Sequence, residues 1–199
     1  MKRVLLTGFV PFDGHKTNPS QQIVERLSGE TIAGAKVSSL VLPVIFGEDV
    51  RHALPAIEEM KPALVLSLGL AAGIACLNVE MFAINHRKTD NPGELAPIIA
   101  DGPAAYFATI DPGRVAGAIS SETGAPASPH GYAGSYLCNH IFYHCLHYAA
   151  TKQPGLPVGF IHLPFSTEQR ADHPADGTPG LPLDLMTAGI RAAIQEALV

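Results

Sequence analysis

Short, strongly apolar runs recur along this chain and restrict its fold more than any other feature: VLLTG (4–8), KVSSLVLPV (36–44), ALVLSLG (63–69) and VGFIHLPF (158–165). The third and fourth run almost without polar interruption, which suits a strand whose sheet is covered on both faces. Segments of helical period separate them. Asn18-Pro19-Ser20 opens one helix with Asn as cap and Pro at the first helical position, and Ile23, Val24 and Leu27 form its apolar stripe before Gly29. EDVRHALPAIEEM (48–60) predicts a second helix, kinked or restarted near Pro55. Further helices are predicted over 112–121, from near Cys138, and over 183–198. In LNVEMFAIN (77–85), Leu77, Val79, Met81 and Ala83 alternate with Asn78, Glu80, Phe82 and Ile84, which is the period of a strand. Strands alternating with helices predict a single α/β domain over 1–199, with a central, mostly parallel sheet between helical layers. The turn-rich stretch 166–182 predicts either a mobile loop or a segment packed on a neighbouring subunit.

Charge and hydropathy argue against two classes of partner. Thirteen basic residues against 18 acidic ones leave a net charge of −5 with no cationic run, so nucleic acid is not an expected partner. The apolar run ALVLSLGLAAGIACL (63–77) is broken by Gly and Ser and is too short to span a bilayer. MKRVLLTGFVPF passes straight from an apolar run into Gly-Phe-Pro turn chemistry, and so reads as a strand rather than a signal peptide. Three cysteines, without the spacing of a disulfide scaffold, fit a reducing cytoplasm.

GSYLCNHIFYHCLHY (134–148) holds two of those cysteines and three of the nine histidines. A thiol among imidazoles is a nucleophile, a metal ligand or core filling. At roughly 100° per residue, Cys138, Phe142, Cys145 and Ala149 share one side of a helix, with His140, His144 and His147 roughly opposite. The cysteines are therefore expected to face the core, and the histidines solvent or another subunit. Imidazoles at i and i+4 can chelate zinc, but no acidic or cysteine ligand shares their side, so no metal is expected. Cys138 sits where a loop becomes a helix, among unpaired amide N–H groups and at the positive end of the dipole, which favours thiolate. Cys145, two turns on, has neither and reads as a small core residue. Glu80 and His162 are polar groups in apolar strands and need partners there. In open α/β sheets functional groups gather beyond the carboxyl ends of strands, so these residues suit one Cys–His–carboxylate site as well as separate structural roles.

In order along the chain, VLLTGFVPFDGHKTNPS, LNVEMFAIN, DGPAAYF, GSYLCNHIFY and VGFIHLPFSTEQ resemble the motif blocks of pyroglutamyl peptidase I, the pyrrolidone-carboxylate peptidase family of cysteine peptidases. The blocks run from residue 4 to about 169. The resemblance implies a Glu–Cys–His triad on Glu80, Cys138 and His162. It further implies an α/β/α sandwich, no cofactor or metal, a cytoplasmic enzyme, commonly a homotetramer, and a peptide substrate with N-terminal pyroglutamate. Phe9 and Phe12 match the family's ring-flanking aromatics, and Tyr136 and Leu137 match residues beside the nucleophile. Leu70 stands where the family usually has glutamine, Ile74 where it has arginine, and HRKTDNPG (86–93) is shorter than the usual loop, with Arg87 near the place of a family arginine. These departures bear on substrate range and pocket rim. Two other readings share the triad or the pocket: a cysteine amidase preferring another small cyclic or blocked acyl group, and a non-catalytic binder of pyroglutamyl peptides.

Overall fold

The computed structural model describes residues 1–91, 93–171 and 177–199. The elements run β1 (Lys2–Phe9), α1 (Pro19–Leu27), β2 (Thr31–Ile32), β3 (Ala35–Leu42), α2 (Glu48–Met60), β4 (Leu64–Leu70), β5 (Leu77–Ile84) and β6 (Arg87–Lys88). They continue with β7 (Leu95–Ala96), β8 (Ala105–Phe107), α3 (Pro112–Thr123), β9 (Ala127–Tyr132), α4 (Leu137–Thr151) and β10 (Val158–Leu163). β11 (Phe165–Ser166), α5 (Thr167–Ala171), β12 (Gly180–Leu181) and α6 (Leu183–Ala197) complete the chain. The main sheet follows the order β2-β3-β1-β4-β10-β5-β8, with β9 also on β5. Its centre, β3-β1-β4-β10, is parallel, whereas β10 meets β5 antiparallel. The sheet is thus mixed but mostly parallel, and helices cover both faces.

The continuous apolar runs follow from that cover. Val4, Leu6, Leu64, Leu66, Leu68, Ile161 and Leu163 point to one core, with Ile23 of α1, Ile119 of α3 and Ile190 of α6. Leu5, Val65, Val158 and Phe160, the alternate residues of the same strands, point to the other, with Ile57 of α2 and Ile141 and Phe142 of α4. Period two in the backbone sends neighbours to opposite faces, and here both faces are dry. Asn18 caps α1 as expected: its Oδ1 accepts from the Ser20 amide, a bond contributing about 1 kcal/mol.

The structure bears on three expectations. α2 runs through Pro55 without restarting. Pro55 and Arg51 are both exposed, so the Arg51 carbonyl that loses its helical donor faces water rather than the core. The stretch 166–182 is not simply a loop: β11 and β12 pair in parallel, α5 follows β11, and Gln169 Nε2 donates to the Thr17 carbonyl at 2.8 Å. Part of that stretch lies outside the described residues.

The histidine face of α4 is the third. His140 is buried and its Nδ1 lies 2.6 Å from Asp49 Oδ2 of α2, while His147 Nδ1 lies 2.9 Å from the Tyr106 hydroxyl of β8. Helix α2 and strand β8 cover the side that period alone assigned to solvent. Burial first, then the neighbouring His140, lowers the His144 pKa to about 4 and keeps that ring neutral.

Candidate active site

Strand register builds the site. On β10, His162 lies opposite Gly69 of β4 on one side and Asn78 of β5 on the other. Glu80, two residues along β5, shares a face with Asn78 and is a diagonal neighbour of His162, within reach of a long side chain. The two meet: His162 Nδ1 lies 2.7 Å from Glu80 Oε1, and the carboxylate is fully buried. A buried carboxylate accepts, so the ring donates from Nδ1 and leaves Nε2 for another partner.

That partner comes from the helix above. α4 packs its Phe142 on Phe160 of β10 at 5.7 Å between ring centroids, and Phe160 in turn lies 4.8 Å from the His162 ring. Asn139 fastens the helix start to the end of β5 and the chain just beyond it: its Oδ1 accepts from the Ile84 amide, and its Nδ2 donates to the Ile84 and His86 carbonyls. Cys138 is thereby set over Gly69, and it lines one cavity together with His162. Gly69 is glycine for want of room, since a Cβ there would lie 2.7 Å from Cys138 Sγ and 2.9 Å from Phe160 Cζ. Tyr136, at the helix N-cap, makes no side-chain cap bond, so the amides of the first turn remain open to an acceptor.

The two cysteines of the helix differ as their places suggest. Burial, helped by Asp49, pushes the Cys145 thiol up to about 12, and it is an inert part of the core. Burial also opposes charge on His162, but the charge and hydrogen bond of Cys138, together with those of Glu80, outweigh it and push the imidazole up to about 10. The balance of these effects favours the charged form of the His162 ring.

The sulfur opens onto a cavity of about 420 Å³ lined by, among others, Phe12, Asp13, Leu70, Lys88, Cys138 and His162. Beside it lies an apolar recess walled by Phe9, Phe12, Val44, Leu70, Tyr136, Leu137 and Cys138. Every substrate-contact candidate read from the sequence borders that recess. Among the described residues no group of three or more His, Cys, Asp or Glu side chains is set to hold a metal ion. Nor is any helix among them long and apolar enough to cross a membrane.

A family model described as pyroglutamyl peptidase matches residues 2–199. The chain belongs to the pyroglutamyl peptidase family. A pyrrolidone-carboxylate peptidase of Coprothermobacter proteolyticus is 41% identical over 98% of this chain and 96% of its own length. One of Klebsiella pneumoniae is 41% identical over the whole chain and 92% of its own. The crystal structure of pyroglutamyl peptidase I from Bacillus amyloliquefaciens superposes with a TM-score of 0.92 at 32% identity, covering 100% of this chain and 97% of that one. A mutant pyrrolidone carboxyl peptidase from Pyrococcus furiosus gives 0.92 at 35%, covering 98% of each chain. Both share the α/β architecture described above, and the chain is accordingly a hydrolase of this peptidase family.

Within this pyroglutamyl peptidase fold, some site residues escaped the sequence reading. Arg87 does not line the cavity; its guanidinium lies 5.4 Å over the Phe46 ring, and the adjacent Lys88 borders the cavity instead. His130 of β9 reaches the second oxygen of Glu80, with Nδ1 2.9 Å from Oε2. Its strand, Ala-Ser-Pro-His-Gly-Tyr, carries Pro and Gly and no apolar alternation, so nothing in the local pattern announces it. The one available signal is a histidine eight residues before Cys138 in a stretch leading to the nucleophile helix.

Proposed function

We propose that this chain removes an N-terminal pyroglutamyl residue from peptides, with Cys138 as nucleophile, His162 as acid–base group and Glu80 as the carboxylate that orients it. One observation carries the reading: the Cys138 sulfur, held against an imidazole that donates to a buried carboxylate, borders an apolar recess. The Cys138 thiolate attacks the carbonyl carbon that joins the lactam to the next residue. The resulting oxyanion is held by amide N–H groups of the first turn of α4, each such donor typically contributing about 3–4 kcal/mol. As the tetrahedral intermediate collapses the C–N bond breaks, and His162 gives its proton to the departing amine. Water, its proton taken by His162, then attacks the thioester carbonyl and releases free pyroglutamate and the thiolate.

The apolar lining of the recess suits an uncharged ring, and its volume of about 20 Å³ must widen toward the adjoining cavity to admit one. Pyroglutamate has no free α-amine, so Phe9, Phe12, Leu70, Tyr136 and Leu137 enclose it without stranding a charge. An ordinary N-terminal residue brings an ammonium group to the same apolar wall, at a cost of several kcal/mol. The test is a panel of N-blocked aminoacyl amides assayed for amine release across the pH range. The pyroglutamyl amide is expected to be turned over best; preference for another cyclic or blocked acyl group would replace the substrate assignment, and binding without release would remove the catalytic one. His162 needs its proton for the leaving amine, and its pKa is raised from 6.5 to about 10. Its requirement therefore does not limit kcat/KM through neutrality and imposes an alkaline fall only as pH passes about 10. A fall centred near 6.5 would contradict the imidazolium assignment.

Gly69→Ala supplies an independent check on position. Its new methyl group displaces the sulfur from His162 or forces Phe160 aside. Turnover is expected to drop about 100-fold, and thermal unfolding to register a loss of about 1–3 kcal/mol from overpacking. Unchanged kcat in a folded Gly69→Ala protein would mean that the sulfur's seat over Gly69 is irrelevant to the chemistry.

A further inference from the structure

Glu80 carries two imidazoles, one on each oxygen, and the mechanism above uses only one of them. β9 runs parallel to β5 with His130 directly opposite Glu80, so register delivers its ring to Oε2 at 2.9 Å, while His162 arrives diagonally from β10 at Oε1. The carboxylate is completely buried, whereas the His130 side chain is 51% exposed. We infer that His130 is a positioning residue for this reaction: it holds the Glu80 carboxylate in one rotamer, so that Oε1 keeps aiming His162 at Cys138. The inference rests on the triad reading and extends it.

The physical need is specific. With His162 alone, Oε2 is a buried acceptor without a donor, which costs free energy and favours rotamers that turn the carboxylate toward another donor. A rotated Glu80 no longer accepts from Nδ1 of His162, and that ring loses its fixed direction. An Nδ1–H group on His130 removes that alternative, because it occupies Oε2 while His162 occupies Oε1. Half-exposure means that the ring links a dry carboxylate to the surface without itself bordering the reacting atoms.

The test compares His130→Ala, His130→Asn and Cys138→Ser with the wild-type chain, using a pyroglutamyl amide and iodoacetamide labelling of Cys138, with thermal midpoints as a check of folding. His130→Ala is expected to lower kcat about ten- to a hundredfold, with KM within about twofold because the recess is untouched. The rate of Cys138 alkylation near neutral pH falls with it. The side-chain amide of His130→Asn places a nitrogen donor where Nδ1 stood, and is expected to recover most of the loss. Should His130→Ala fail to fold, the Asn variant and His130→Gln carry the comparison, the longer amide recovering less because its nitrogen lies where Nε2 was. Wild-type kcat in a folded His130→Ala, or equal impairment of the Asn and Gln variants, overturns the role of His130 while a dead Cys138→Ser leaves the triad standing. Retained turnover in Cys138→Ser overturns both.

Discussion

Cys138→Ser is expected to reduce turnover of a pyroglutamyl amide by about 10⁴- to 10⁶-fold, the scale seen when a nucleophile that acts as a unit with its base is removed. The substituted oxygen is nearly isosteric and still faces His162, so the fold and the recess survive. What disappears is the anion. A hydroxyl has a far higher pKa than a thiol, and the imidazolium that Cys138 and Glu80 together raise to about 10 loses one of its two stabilising partners. Substrate affinity should hardly change, because the walls formed by Phe9, Phe12, Leu70, Tyr136 and Leu137 are intact. Steady-state kinetics with thiol alkylation and mass mapping check the assignment together. Turnover within tenfold of wild type, or inactivating label found at Cys145 with Cys138 free, would show that the wrong sulfur had been chosen.

Glu80→Gln is the second large effect, expected at about 10³- to 10⁴-fold in kcat by analogy with losing the charge, but not the shape, of a triad carboxylate. Both carboxylate oxygens here accept from an imidazole Nδ1. A side-chain amide has one oxygen and one NH₂, so it can accept from only one ring and must oppose an N–H of the other. If the NH₂ faces His162, that ring is driven to the tautomer with Nδ1 bare, whose Nε2 already carries a proton and so cannot take the one on the thiol. If the NH₂ faces His130, the charge is still gone, and the His162 pKa falls from about 10 as the coulombic and hydrogen-bond support of Glu80 is withdrawn. Either way thiolate is scarcer. The measurements are kcat, and Cys138 alkylation against pH, where the variant should need a more alkaline medium to reach the wild-type rate. A Glu80→Gln protein with unaltered alkylation and kcat within tenfold would reduce Glu80 to a structural residue.

Period, cap chemistry and residue type were readable one segment at a time. The doubly covered strands declared themselves through uninterrupted runs such as ALVLSLG, and Asn18-Pro19 marked a helix start through a local hydrogen bond. Cys138 and Cys145 could be told apart because one stands at a helix N-terminus and the other two turns inside, a difference that needs no neighbour from elsewhere in the chain. The five-block resemblance joined Glu80, Cys138 and His162 by likeness, without geometry. By contrast, the opposite face of α4 went astray, because helical period defines two sides but is silent on which other element covers each. The buried His140–Asp49 pair exists because α2 lies there. β9 was invisible for the converse reason: its residues have no strand preference of their own, and it is a strand because β5 supplies the hydrogen-bonding partner.

By itself, then, the sequence determined the menu of elements, the two apolar faces of the central strands and which sulfur sits at a helix start, all consequences of interactions within a few residues. The tertiary structure alone decided that Gly69 leaves space for that sulfur, that His162 is diagonal rather than opposite to Glu80, and that His130 closes the far side of the same carboxylate. Those facts depend on strand register. A slip of one residue in any pairing would reverse the faces, separating the imidazoles from the carboxylate without altering a single local propensity.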